Sequence, residues 1–204
     1  IMGTRSFNLI WEEVCAKVFR SQKGDTKTRH PNIYEIEPFI NYKKINKRFE
    51  HEPPILVELI QQPIWKRYRK GSKGIPKRTF NPDYIRFEKL KKTSSYAFYI
   101  LDAKYYCPVW NDTNIQGQPG IEDIAKQYLY YLSYQEILAK YNVKEVKNYF
   151  LMPKRASDSE IPGFVKLDML KQLGLGVIEV RMLSPDVLYD NYLKDKHINL
   201  SELQ

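Results

Sequence analysis

Apolar residues recur at helical spacing along the first twenty positions. Phe7, Ile10, Trp11, Val14, Cys15, Val18 and Phe19 fall at i, i+3, i+4, i+7 and i+8, which predicts an amphipathic helix. Thr4 or Ser6 is available to cap its start. Residues 21–53 are polar and irregular, punctuated by Gly24, Pro31, Pro38 and Pro53. Ile55–Ile60 reads as a strand, and the Gly- and Pro-containing stretch 66–78 as a loop. Tyr84–Phe87 and the dense apolar run Tyr96–Leu101 read as two strands, joined by the polar segment Lys89–Ser95 into a hairpin. After a loop rich in Asn, Asp, Gly and Pro, a second helix is expected from about Ile121 to Tyr141. Its apolar stripe is Ile121, Ile124, Tyr128, Tyr131, Leu132 and Leu138. Tyr149–Met152 and Val177–Val180 read as strands and Ser184–Lys194 as a terminal helix. This order predicts an α/β fold with a mixed central sheet flanked by helices.

At 204 residues the chain is long enough for one domain with a sizeable core, and residues 1–204 are read as a single domain. The start, Ile1-Met2-Gly3-Thr4, reads as a cloning scar over residues 1–4, and the rest as a piece of a longer protein. The formal net charge of +9 favours an acidic partner, of which nucleic acid is the commonest. Sixteen tyrosines suggest a wet, amphipathic surface or interior. Cys15 and Cys107 form no C-x-x-C pair, which argues against structural zinc. His30, His51 and His197 are isolated and read as scattered surface residues. No apolar run reaches the ~18 residues of a membrane span, and no signal-peptide pattern is present. A cytoplasmic, reducing setting is the expectation.

Candidate chemistry changes the picture more than composition does. Clustered carboxylates hold Mg²⁺, which neutralises charge and activates water for attack on a phosphodiester, and a nearby lysine orients that water or stabilises developing charge. Asp102-Ala103-Lys104 supplies such a unit at a strand end. Side chains alternate with period two, so Asp102 and Lys104 point the same way and the backbone carbonyl of Ala103 is left to help ligate a metal. Asp83, just after Pro82, lies across from Asp102 if the hairpin pairs about its midpoint. Two carboxylates that close repel unless a cation lies between them. Asp25-Thr26-Lys27 and Glu145-Val146-Lys147 match the same tripeptide, but neither follows an apolar strand.

Three further features bear on this site. At ~100° per residue, Glu12 lies at the border of the first helix's apolar stripe and Glu13 almost opposite it. Glu12 is therefore the candidate acid and Glu13 the reserve, against the alternative that both are solvated. Gln127 and Tyr131 share a helix face at i, i+4, or are ordinary surface residues. The tyrosines of that helix, Tyr128, Tyr130, Tyr131 and Tyr134, read as core and interface. Lys66, Arg67, Arg69, Lys70, Lys73, Lys77 and Arg78 could track DNA phosphates, or form a solvated loop.

The ordered set Phe7-x-x-x-Trp11-Glu12-x-Val14, Pro82-Asp83-Tyr84-Ile85, Leu101-Asp102-Ala103-Lys104-Tyr105-Tyr106 and Gln127-x-x-x-Tyr131 resembles the PD-(D/E)XK nuclease superfamily. Within it, the set resembles the nuclease portion of LlaJI-type restriction endonucleases and their McrC-like relatives. The resemblance implies a restriction-endonuclease-like core and a Mg²⁺-dependent endodeoxyribonuclease, with Mn²⁺ as a substitute ion. It implies Asp83, Asp102, Lys104 and Glu12 as catalytic residues and Gln127 and Tyr131 as supporting ones. Asp83, Asp102, Glu12 and the Ala103 carbonyl would be the metal ligands. It further implies double-stranded DNA as substrate, a separate DNA-recognition domain, and an AAA+ GTPase (McrB-like) subunit or a second copy of the chain as partner. Here Asp stands where Glu is commoner before x-Lys, which the superfamily tolerates. A non-catalytic DNA-binding module on the same fold, or a basic interaction domain, are the competing readings. Retention of all three of Asp83, Asp102 and Lys104 weighs against an inactive relative.

Overall fold

A computed structural model describes residues 6–19, 56–66, 73–74, 79–89, 96–140, 143, 145–156 and 161–203. Helix α1 spans Ser6–Val18. The first strands are short: β1 (Trp65–Lys66) and β2 (Lys73–Gly74). The central hairpin follows, as β3 (Tyr84–Lys89) and β4 (Tyr96–Ala103). A second short pair, β5 (Val109–Asn111) and β6 (Asn114–Gln116), leads into helix α2 (Ile121–Lys140). Strands β7 (Glu145–Pro153), β8 (Gly163–Val165) and β9 (Ile178–Leu183) precede helix α3 (Pro185–Leu193). The main sheet has the order β3-β4-β7-β9-β8. β4, β7 and β9 run parallel, while β3 and β8 are antiparallel at the two edges. This is the mixed sheet with flanking helices that the patterning predicts.

Strand alternation sorts the core into two faces. Tyr99, Leu101, Ala103, Tyr149 and Leu151 point to one side and pack on Trp11, Val14, Cys15 and Val18 of α1 and on Leu188 of α3. Phe98 and Ile100 point to the other side and meet Tyr130, Tyr134 and Leu138 of α2. Phe150, Met152, Ile178, Val180 and Met182 continue that face against Tyr128. The start of α1 departs from expectation, because Phe7 and Ile10 are exposed.

The face of α2 also departs from the expected stripe. Ile121 is 61% exposed, whereas Tyr130 and Tyr134, outside the stripe but among the tyrosines read as core and interface, are fully buried. The phenol hydroxyls resolve this. Tyr128 donates to the Gly176 carbonyl (3.0 Å), Tyr130 to Asn81 (3.1 Å) and Tyr134 to Leu56 (3.1 Å). With its one polar atom satisfied, each ring behaves as core.

The segment expected as a strand at Ile55–Ile60 is instead a 3-10 turn over Leu56–Leu59. Leu56 and Ile60 are both buried against Ile85, Phe98 and Ile100, and the Leu56 carbonyl is taken by Tyr134 rather than by a neighbouring strand. A short apolar run does not distinguish a strand from a helical turn.

Two further regions expected as loops contain paired backbone. Lys66 lies opposite Lys73 in the β1–β2 ribbon, and β5 pairs with β6 from Val109 opposite Gln116 to Asn111 opposite Asn114. Arg67, Arg69, Lys70, Lys77 and Arg78 lie outside the described residues, as do His30, His51 and the Asp25–Lys27 tripeptide. His197 is half-buried, its Nδ1 lying 3.1 Å from the Lys17 carbonyl at the end of α1. It is thus packed against that helix end rather than scattered on the surface. Among the described residues no helix is long and apolar enough to cross a membrane.

Candidate active site

The register of the central hairpin brings two acids together. Tyr84 pairs with Leu101, so one step further along the antiparallel ladder Asp83 faces Asp102. Side chains directly opposite in such a ladder share a face. The two carboxyls are within hydrogen-bonding reach of each other. Asp83 Oδ2 also accepts the Ala103 backbone N–H at 3.1 Å. Since the N–H and C=O of one strand residue point to the same edge, the Ala103 carbonyl is turned toward Asp83 as well.

Asp102 is the penultimate residue of β4 and only 2% exposed. Its Oδ2 lies 2.8 Å from Lys104 Nζ, while its Oδ1 is buried with no hydrogen-bond partner. The Lys104 ammonium bridges onward to Asp123 Oδ1 at 3.1 Å, in the first turn of α2. Asp123 Oδ2 accepts the Tyr106 hydroxyl at 3.4 Å.

One backbone oxygen ties the site to the other face of the sheet. The Leu151 carbonyl accepts both the Lys104 N–H (2.9 Å) and the Trp11 indole N–H (3.0 Å). Trp11 is fully buried, so this bond fixes the helical turn that carries Glu12. Glu12 is half-buried and acts electrostatically on Asp83, Cys15 and Tyr130, whereas Glu13 is exposed. The far end of α1 is held by Lys17, which donates to the Tyr192 carbonyl, and by the Ile198 N–H on the Val18 carbonyl.

Gln127 is fully buried one layer below Asp102. Its Nε2 donates to Asn148 Oδ1 (2.6 Å), with longer contacts to the carbonyls of Ile100 and Tyr149. It therefore buttresses β4 and β7 just beneath the acids. Tyr131, one turn on, is half-buried among Phe98-side and Phe150-side core residues, away from the carboxylates.

A family model described as LlaJI restriction endonuclease matches residues 39–184, about seven-tenths of the chain. The chain belongs to the LlaJI restriction endonuclease family. The match takes in Asp83, Asp102, Lys104, Gln127 and Tyr131, while Glu12 precedes it. The chain is also similar to a Bacillus subtilis (strain 168) protein named Type II restriction enzyme BsuMI component YdjA, with 29% identity over 205 residues. That similarity covers all of this chain and 36% of the relative, so the chain spans about a third of the relative's length. No solved structure matches it.

The electrostatics of this LlaJI-family site follow from burial of like charges. Burial first, and then the Asp83 charge, push the Asp102 carboxyl up to about 7, against the pull of Lys104. Burial also raises Asp83, with Glu12 adding to it and Asp102, Lys104 and the Ala103 N–H opposing. Burial works to lower Lys104, but Asp102 and then Asp123 overcome it and hold the ammonium above the ordinary lysine range. The buried Cys15 thiol is pushed well up by burial, then by Asp83 and Glu12.

Four contributors to this geometry escape a sequence reading: Asp123, Tyr106, Asn148 and the Leu151 carbonyl. Two of them left a trace: Tyr106 ends the quoted motif that begins at Leu101, and Asp123 stands four residues before Gln127 and so on the same helix face. A cavity of about 170 Å³ lies on the α2 side of the sheet, lined by Trp110, Phe150, Met152, Phe164 and Val180. None of the acids lines it.

Proposed function

We propose that this chain is the DNA-cleaving domain of a restriction system, a Mg²⁺-dependent endonuclease of the PD-(D/E)XK type. The observation that carries this reading is the facing pair Asp83–Asp102 with Lys104 beside it, at the ends of the parallel strands where α/β sheets bind their ligands. A buried carboxylate oxygen without a partner, Asp102 Oδ1, is a costly feature, and a cation would satisfy it.

The donors suit Mg²⁺ in kind. Asp83, Asp102 and the Ala103 carbonyl offer hard oxygens only, and Mg²⁺ is commonly held by one or two carboxylates while keeping several waters. Among the described residues no three His, Cys, Asp or Glu side chains are grouped to hold a metal ion, so Glu12, expected as a further ligand, is given a charge role here rather than a ligand role. When bound, Mg²⁺ supplies charge neutralisation at the phosphate and activates the attacking water, a role Mn²⁺ could also fill.

The chain's own residues do the rest. Asp83 and Asp102 hold the ion, and Glu12 adds negative charge from the α1 side. The Lys104 ammonium orients the water or offsets charge building on the phosphate. Gln127 keeps β4 and β7 in place beneath the pair, and Tyr131 packs the helix that carries it. The net charge of +9 supports DNA as substrate, with Lys66, Arg67, Arg69, Lys70, Lys73, Lys77 and Arg78 tracking phosphates. The longer relative supports a recognition domain elsewhere in the protein. An AAA+ GTPase subunit, as in McrC-like systems, or a second copy is the partner to test for.

The test is nicking of supercoiled plasmid by the 204-residue chain with Mg²⁺ and with EDTA. Mg²⁺-dependent nicking that Asp102→Ala removes is the expected result. Binding without nicking, in the presence of the partner subunits as well, would leave a non-catalytic DNA-binding module as the reading.

A further inference from the structure

Lys104 has two carboxylate partners, and they belong to different elements. Asp102 lies two residues away, near the end of β4, at 2.8 Å. Asp123 lies on α2, at 3.1 Å, and is itself engaged by the Tyr106 hydroxyl. The two partners face different demands once the site is loaded. Asp102 is shared between the lysine and any cation drawn to the Asp83–Asp102 pair, and a cation competes directly for the oxygens that hold Lys104. Asp123 is outside that pair. It also closes a loop: residues 105–120, carrying β5 and β6, leave the sheet at Lys104 and return to α2 two residues before Asp123.

From this we infer that Asp123 is a positioning residue, holding the Lys104 ammonium at the flank of the acid pair when Asp102 is occupied. The inference rests on the nuclease reading above. Without Asp123, Lys104 would keep its charge but lose its fixed place, since a lysine side chain is flexible and only its contacts define where it points. Asp123 also sits in the first turn of α2, where an acid is favourable for any helix. Glu122 shares that turn and is exposed, so it isolates the helix-end effect from the contact with Lys104.

The experiment compares Asp123→Ala, Asp123→Glu and Glu122→Gln with the wild-type chain. Single-turnover cleavage should slow roughly 10–100-fold in Asp123→Ala, the usual range for loss of a supporting partner. Asp123→Glu should recover part of that loss, and Glu122→Gln should cleave at the wild-type rate. DNA affinity in EDTA and the Mg²⁺ concentration for half-maximal rate should stay within about twofold in all three, since phosphate contacts elsewhere carry affinity.

The ammonium N–H signal of Lys104 in nitrogen-15 NMR gives a readout free of cleavage. It should be sharp and shifted in the wild type and lost to exchange in Asp123→Ala. A wild-type rate in Asp123→Ala, or an unchanged Lys104 signal, overturns the inference. Recovery of the rate at high Mg²⁺ overturns it too, because Asp123 would then be a metal ligand. Absence of cleavage in the wild type sinks the nuclease reading instead, while the NMR comparison still decides whether Asp123 holds Lys104.

Discussion

The chain carries the acid-x-lysine tripeptide in two neighbouring strands, and the two copies are chemically unlike. In β7, Glu145 and Lys147 are 3.8 Å apart with side chains 46% and 32% exposed. At the end of β4, Asp102 and Lys104 are 2.8 Å apart at 2% and 14%. The strands are parallel, with Ala97 opposite Glu145 and Ala103 opposite Leu151, so the two tripeptides sit at opposite ends of the sheet. Glu145 opens its strand and faces water, where an ion pair contributes about 0–1 kcal/mol. Asp102 closes its strand under α2, with a second acid across the ladder and an oxygen left unpaired. The same acid-x-lysine pattern is a surface pair at a strand's start and a buried, charge-dense cluster at a strand's end.

Cleavage assays break or sharpen this contrast most strongly. Asp102→Ala or Asp83→Ala should lower the Mg²⁺-dependent rate by roughly 10³-fold or more, on the scale of losing the groups that carry charge stabilisation. Glu145→Ala should change it less than twofold. A comparable defect from Glu145→Ala would mean that strand position does not separate the two copies. Lys104→Ala should cost about 10²-fold with DNA binding in EDTA nearly intact, and Lys147→Ala should cost nothing measurable. Equal losses of binding and rate in Lys104→Ala would make Lys104 a phosphate contact like the rest of the basic surface.

A smaller effect tests the helix on the opposite face. Glu12→Gln should slow cleavage on the order of 10-fold, the low end for an outer partner of a metal site, and Glu13→Gln should not. The reverse ranking would remove Glu12 from the site.

Stability gives the subtlest comparison. The Asp102 carboxyl is raised from the ordinary range near 4 to about 7 in the folded chain. A raised folded pKa means that the folded state holds the proton more tightly. Its stabilising contribution is full below the unfolded value and is lost as pH rises toward 7. Asp102→Asn has no such loss. In EDTA its Tm should exceed wild type by several degrees at pH 8, at about 2–4 °C per kcal/mol for a domain of this size. The gain should vanish near pH 4. A gain for Asp102→Asn that is flat with pH would mean that burying the Asp102 charge, beside that of Asp83, does not limit the metal-free fold.

Much of this was legible from the chain alone, because it depends on local periodicity. Period two along Tyr96–Ala103 dictates that Asp102 and Lys104 share a face. The polar segment after Phe87 makes a hairpin, and a hairpin of those lengths sets Asp83 opposite Asp102. The angular position of Glu12 relative to Val14 and Val18 turns it toward the sheet border and Glu13 toward water.

What only the tertiary structure decided depends on groups far apart in sequence. A tyrosine counts as core or surface according to whether a carbonyl waits for its hydroxyl, and for Tyr134 that carbonyl belongs to Leu56, 78 residues away. The same bond helps make Leu56–Leu59 a turn rather than a strand. The Leu151 carbonyl joins Trp11 to Lys104 across 140 and 47 positions, and Asp123 reaches Lys104 only because α2 returns over β4. Sequence patterns record which side of an element a residue occupies. Which partner meets it there is set by strand order and helix docking, and these are determined by the packing of the whole sheet.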